Sequence, residues 1–404
     1  MAVRWNRIET WLTLAVAGVG LILLGVAGLW VYMSATAKPL HPDAASVSSV
    51  ANAAPAQQWR EAIERAKQIA RAGTSEQNLP GLSVAVGVNG EIVWAEGFGW
   101  ADVEKQTAVT PGTRFRIGTI SMPLTAAAVG LLIDRGRLQL DDPIQKYVPE
   151  FPQTKWPVTL RQLMAHTSGM RSDGGDEGSL FSKHCDRPVD ALPEIAGSEL
   201  RFEPGTEYRY GRYSFIAVSA AIESAAGEPF LTFMQRQIFD PSRMDNTFPE
   251  PDTDPVEDRA TPYFPKFAGD PRYGNDLMRP LHYSCYAGAS VFLSTPTDLV
   301  RFVGALNSGK LLQPATVKLL QTPQRLKSGQ ETGYGLGWDI EDVPLSGKST
   351  RTIGHDGDVL GGIASSLLIV PEHNIVVAVV SNTSYGDTPG IATKIAETFA
   401  QPRK

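Results

Sequence analysis

Between Trp11 and Met33 the chain runs 23 residues without a charge (WLTLAVAGVGLILLGVAGLWVYM), and that run dictates where everything else can go. A helix of this length is about 34 Å long at 1.5 Å per residue, enough to cross a bilayer core. Trp11, Trp30 and Tyr32 stand near its ends, at the depth of an aromatic belt. Arg4 and Arg7 precede it with one Glu9, which predicts residues 1–10 in the cytoplasm, 11–33 across the membrane, and the main domain on the exported, periplasmic or extracytoplasmic side. A cleaved signal peptide competes, because Ala35-Thr36-Ala37 has the small residues of a cleavage site. The apolar stretch of a signal is usually about 7–15 residues, shorter than this one. Residues 34–57 are rich in Ala, Ser and Pro with no hydrophobic period, and read as a flexible linker. Residues 58–404 are left for the folded domain.

That domain has the means to bury a core, since the chain is 42% hydrophobic and 20% charged. With 37 Lys+Arg against 43 Asp+Glu, a net charge of -6 and no basic block, nucleic acid is excluded as a partner. Two cysteines cannot build a zinc-ribbon array or a disulfide-dense scaffold.

Trp59 to about Gly73 spaces Ile63, Ala66, Ile69 and Ala70 for one helical face. LSVAVGV and EIVWAEGFG flank Asn89-Gly90, which predicts a hairpin with a type I′ turn. Thr119 to about Arg135 reads as an apolar helix with Pro123 near its first turn. Short helices are expected at about 159–166, 213–226 and 230–238, and another at 296–307 capped by Thr295 or Thr297. Strands are expected at Tyr334–Ile340, Arg351–Gly354, Ile363–Val370 and Ile375–Asn382, followed by a helix from Pro389 to Ala400. Strands at both ends with a helical middle predict an α+β fold. One antiparallel sheet would be assembled from the two chain ends, flanked by helices and a mainly helical region. There is no internal repeat, GxGxxG or P-loop.

Several motifs then line up in order. Phe115-Arg116-Ile117-Gly118-Thr119-Ile120-Ser121-Met122-Pro123 is followed by Leu140-Asp141-Asp142-Pro143, Tyr147-Val148-Pro149-Glu150-Phe151 and Leu163-Met164-Ala165-His166-Thr167-Ser168-Gly169-Met170. Phe202-Glu203-Pro204-Gly205-Thr206, Tyr210-Gly211-Arg212-Tyr213, Tyr334-Gly335-Leu336-Gly337-Trp338 and His355-Asp356-Gly357 complete the set. In this order they resemble the serine β-lactamase-like family: class C β-lactamases, penicillin-binding-protein-like esterases and DD-peptidases. The resemblance covers about 80–400 and extends to the family's mitochondrial members, whose N-terminal membrane segment is similar. It implies a serine hydrolase fold and a cleft for a small-molecule, peptide or peptidoglycan-like ligand.

The family's reaction uses a Ser at a helix start and a Lys three residues later, on the same helix face. A Tyr relays the proton, an Asn holds the substrate, and the backbone N–H after the third motif completes the oxyanion hole. Carried onto this sequence, the catalytic positions are Thr119, Tyr210 and His355, with Met122 at the Lys position and Arg212 at the Asn position. The ligand-binding positions are Arg212, Asp356, Gly357 and Asp358. Thr119 keeps a hydroxyl but adds a methyl that crowds attack, and a thioether at 122 accepts no proton. Losing one member of such a unit costs roughly 10⁴–10⁶ in turnover. Ser121, about 200° around the helix from Thr119, is expected to face the core.

Each position also has a plainer role: Thr119 as a helix N-cap, Met122 as an apolar filler, Tyr210 as a packed ring, Arg212 paired with an acid, His355 as a structural histidine and His166 as a loop support. Cys185 and Cys285 lie in loops that the family places near the cleft mouth, and the exported setting makes them a disulfide candidate. Two free thiols, or a zinc set with His184 and His282, are the alternatives, the latter with spacings unusual for zinc. No cofactor and no metal are expected. Three functions remain open. One is a catalytically impaired, membrane-anchored ligand-binding homologue. Another is an active esterase or peptidase using Thr119 with Tyr210 and His355. A third is a structural or partner-binding module using loops 171–200 and 250–281. Oligomeric state is not legible.

Overall fold

Seven strands form the body of one antiparallel sheet: β1 (Ser49–Ala51), β2 (Gly81–Val88), β3 (Glu91–Asp102), β4 (Asp339–Leu345), β5 (Lys348–Val359), β6 (Ile363–Val370) and β7 (Ile375–Ser381). Their spatial order is β1-β3-β2-β7-β6-β5-β4, and Thr107–Ala108 adds a short strand on β3. The computed structural model describes residues 3–52, 57–171, 180–197, 199–251, 256–267, 269–359 and 361–400, without the side chains of 3–10, 13, 358 and 359. The two chain ends meet at mid-sheet, where β2 pairs with β7, Leu82 opposite Ser381 and Val88 opposite Ile375. The fold is α+β.

Asn89 and Gly90 both adopt positive φ (53° and 83°), as the two central positions of a type I′ turn require. Alternation along β2 then sends Leu82, Val84 and Val86 to one face and Ala85 to the other. The first face packs on α2 (Arg60–Glu76) and α6 (Thr388–Ala400) through Ile63, Ala66, Ile391 and Ile395. The second meets the helical region, which includes α3 (Ser121–Asp134), α4 (Tyr213–Ala226) and α5 (Pro296–Asn307). α5 starts where Thr295 Oγ1 accepts the Asp298 N–H at 3.2 Å with Pro296 in the first turn. Ahead of the domain, α1 (Val3–Thr36) contains an apolar span, Leu14–Thr36, none of it buried.

Three expectations differ from the structure. Tyr334–Trp338 is not strand: Gly335 N–H bonds back to Trp338 C=O at 2.8 Å, a tight return that buries both aromatic ends. β5 does not stop at Gly354 but carries His355-Asp356-Gly357 on to Val359. Residues 34–57 are not a flexible linker throughout. Leu40 N–H bonds Asn78 Oδ1 at 2.7 Å, His41 and Val47 are buried, and β1 pairs with β3. Apolar and hydrogen-bonding partners at the sheet edge outweigh a composition that looks like tether; residues 53–56 lie outside the described set.

Candidate active site

The cleft is built where the start of α3 meets the edge of β5. Gly118 turns the chain at φ 52° into a 3-10 turn, Gly118–Ile120, that runs into α3. Ser365 Oγ on β6 donates to Ile117 C=O at 2.9 Å and pins this turn to the sheet. Gly357 is required for the approach. A Cβ there would lie 2.6 Å from Ile117 O and 3.1 Å from Thr119 N, so any side chain would push the turn off the strand.

Thr119 is not an N-cap. Among the described residues its Oγ1 has one hydrogen-bond partner, the carbonyl oxygen of Asp356, to which it donates at 2.8 Å. His355 Nδ1 reaches the same carbonyl at 2.9 Å. A carbonyl only accepts, so Nδ1 carries a proton, and Nε2 meets the Tyr334 hydroxyl at 3.0 Å. Burial holds the Tyr334 phenol well above its ordinary range, so it remains a donor at neutral pH. Thr119 is 3% exposed and Met122 is wholly buried. Met122 Sδ lies 3.6 Å from Tyr210 OH and 4.0 Å from Tyr334 OH, so a thioether, a weak acceptor, occupies the space between the two phenols.

Under these rings lies His166, its centroid 4.5 Å from Tyr210 and 4.7 Å from Tyr334. Ser214 Oγ donates to Gly211 C=O and faces His166 Nδ1 at 3.2 Å, while His166 Nε2 has no hydrogen-bond partner among the described residues. Burial, with His355 nearby, drives the imidazole pKa down to about 3. His166 is a neutral floor beneath the two phenols. The Asp356 side chain lies opposite Ser366 of β6, on the other face of β5 from His355, and desolvation by the surrounding groups pushes its pKa up to about 6, opposed by a Ser366 hydrogen bond.

The structure brings Thr119, Met122, Tyr210, His355, Asp356 and Gly357 together. Asp358 continues β5 opposite Ala364, but its side chain lies outside the described set. Arg212 is buried with its guanidinium 4.8 Å over the Tyr286 ring and 5.9 Å from that of Phe181, a cation–π seat in the wall. Ser121 faces the core. Cys185 and Cys285 are joined in a disulfide beside that wall, and the described residues contain no cluster suited to a metal. Sequence reasoning missed Tyr334 as a site residue. Its signal was the head of the Tyr334-Gly335-Leu336-Gly337-Trp338 run, which the sequence offers as a family motif and a strand without giving Tyr334 a role in the site.

A model of the beta-lactamase family matches residues 64–400. This chain belongs to the beta-lactamase family. Among curated relatives, the serine beta-lactamase-like protein LACTB, mitochondrial, of Mus musculus is 27% identical, over 92% of this chain and 86% of its own length. Penicillin-binding protein 4* of Bacillus subtilis is 24% identical, over 74% and 67%. Among solved structures, the octameric penicillin-binding protein homologue from Pyrococcus abyssi superposes with a TM-score of 0.70 at 24% identity, over 83% and 76%. EstCE1, a hydrolase with promiscuous acyltransferase activity, gives 0.71 at 22%, over 85% and 99%. These two likenesses establish the beta-lactamase fold alone.

Proposed function

We propose that this member of the beta-lactamase family is membrane-anchored through α1, with its domain on the exported side, and that its cleft binds a ligand without turning it over. One observation carries the reading. The hydroxyl at 119 is spent on a main-chain carbonyl, and the side chain three residues later offers sulfur where an amine would be needed. The ligand proposed is a small molecule or peptide of peptidoglycan-like chemistry, bearing a carbonyl and a carboxylate. The relative named as a penicillin-binding protein supports that class, since a penicillin has both groups. Gly357 and the main chain of Asp356 and Asp358 would line the ligand along β5.

The test is covalent labelling of the purified chain by a penicillin and a fluorophosphonate. No adduct is expected, whereas Thr119→Ser/Met122→Lys should acquire labelling and raise ester hydrolysis by up to roughly 10⁴-fold. Stoichiometric labelling of Thr119 in the natural chain would overturn the reading. A second reading is favoured by one feature, the sharing of the Asp356 carbonyl by Thr119 and His355, which sets an imidazole beside the hydroxyl. There Thr119 attacks, Tyr210 takes its proton and His355 assists. Ester hydrolysis lost in Thr119→Ala would favour it. The partner-binding alternative rests on loops 171–200 and 250–281, of which 172–179, 198, 252–255 and 268 lie outside the described residues.

A further inference from the structure

The spacer between α1 and the domain is very short. The helix ends at Thr36 and the chain is already fastened at Leu40, whose N–H meets Asn78 Oδ1, and at His41, buried against Pro80 C=O. Asn78 in turn donates to Pro271 C=O at 3.2 Å, on the turn that links a two-stranded hairpin, Tyr263–Pro265 with Asn275–Leu277. Tyr32, at the end of the apolar span, sets its ring edge-to-face on Phe267 of that turn, centroids 6.3 Å apart. An aromatic residue at the end of a membrane span sits at headgroup level, and a ring touching it shares its depth.

Leu277 on this hairpin is 68% exposed, more than any other large apolar side chain outside α1 among the described residues, and Tyr385, packed on Phe264 of the same hairpin, is 42% exposed. Lys266, Arg272 and Arg279 lie on the hairpin and Lys38 on the spacer, against Asp270 and Asp276. Lys266 and Arg272 pair with those two acids, so on the hairpin and spacer the positive excess falls on Lys38 and Arg279, against one exposed acid, Asp387, two residues from Tyr385, in a chain whose net charge is -6. Exposed leucine and tyrosine beside surplus cations, at the depth of a helix exit, match an anionic headgroup layer.

We propose that the face formed by this hairpin and Tyr385 is a second membrane contact, seated in anionic headgroups, which fixes the domain's tilt on its anchor. The proposal rests on the anchor reading. It also orients the cleft, because the hairpin joins the sheet at the end where β5 leaves the site: Tyr263 N–H bonds Asn382 C=O, and Gly361 C=O receives Arg116.

The full chain, reconstituted into vesicles of phosphatidylglycerol and phosphatidylcholine, carries an environment-sensitive fluorophore on Leu277→Cys or Lys266→Cys. Glu372→Cys is the reference at the opposite end of the sheet, about 25 Å away along the eight residues of β6. Headgroup spin-labelled lipid is added, and flotation is scored on the same samples. Flotation with emission lost at 277 and 266 but kept at 372 is the expected result. Flotation with all three emissions kept overturns the second contact and leaves the anchor standing. Failure to float overturns the anchor, and the contact with it.

Discussion

Consider His166→Gln, which removes the imidazole from the cleft floor while keeping a polar side chain of similar reach toward Ser214. In the folded chain the ring stays neutral until its pKa of about 3, whereas in the unfolded chain it titrates near 6.5. Between those values the unfolded state binds more protons, so this group's contribution to stability is fully present above pH 6.5 and drains away as pH falls toward 3. The slope is about 1.4 kcal/mol per pH unit inside the window, and integration from pH 7.5 to 4.5 gives about 3 kcal/mol. Urea unfolding of the detergent-solubilised chain, followed by tryptophan emission at both pH values, measures it. The natural chain should lose about 3 kcal/mol more than the variant between the two pH values, whatever constant offset the substitution adds. Equal pH dependence in the two proteins would mean that the ring is hydrated or charged in the fold, and the neutral floor would be refuted.

Asp356 has the opposite sign. Its folded pKa is raised, so its contribution is present below the unfolded value and lost as pH rises through about 6; Asp356→Asn should therefore gain thermal stability at pH 7.5 relative to the natural chain and show little change at pH 4. Tyr334→Phe removes the hydroxyl that meets His355 Nε2 and should cost about 1–2 kcal/mol in urea unfolding, with the His355 imidazole resonances in NMR shifting as the ring loses its partner. Reducing the Cys185–Cys285 disulfide, which spans 100 residues, should lower stability by roughly 2–5 kcal/mol, read as a drop in Tm under thiol reductant.

The sheet was legible because its information is local. Alternation along Leu82–Val88 and the positive-φ pair Asn89-Gly90 specify a hairpin without reference to anything distant. The closure of β2 on β7 followed from strands lying at both chain ends. The order of residues 39–51 was not legible, because Ala-Ser-Pro composition describes what the segment is made of and not the Asn78 amide or the β3 edge that receives it. That the motif positions Thr119, Met122, Tyr210 and His355 come together was legible, but their bonding was not. That Thr119 and His355 converge on one carbonyl depends on a contact across 237 residues of sequence, and Tyr334 enters only because the Gly335–Trp338 return aims its hydroxyl at His355.

The same bonding explains why a thioether is stable at the position where the family's chemistry places an amine. An ammonium at 122 would be wholly buried and would have to repay its desolvation through charge-assisted hydrogen bonds. Here the two hydroxyls that reach the Met122 sulfur are phenols, one of them already hydrogen-bonded to His355, and the floor beneath is an imidazole that resists protonation. A cation set among such neighbours lacks a carboxylate or phenolate to answer it, so methionine relieves an unpaired charge while filling the volume. Restoring Lys at 122 alone should therefore destabilise the chain and leave it unreactive, because the threonine methyl would still crowd attack by a hydroxyl held on the Asp356 carbonyl. Recovery of ester hydrolysis by Met122→Lys without Thr119→Ser would show that the hydroxyl can leave that carbonyl, and that position 122 by itself decides whether the cleft is silent.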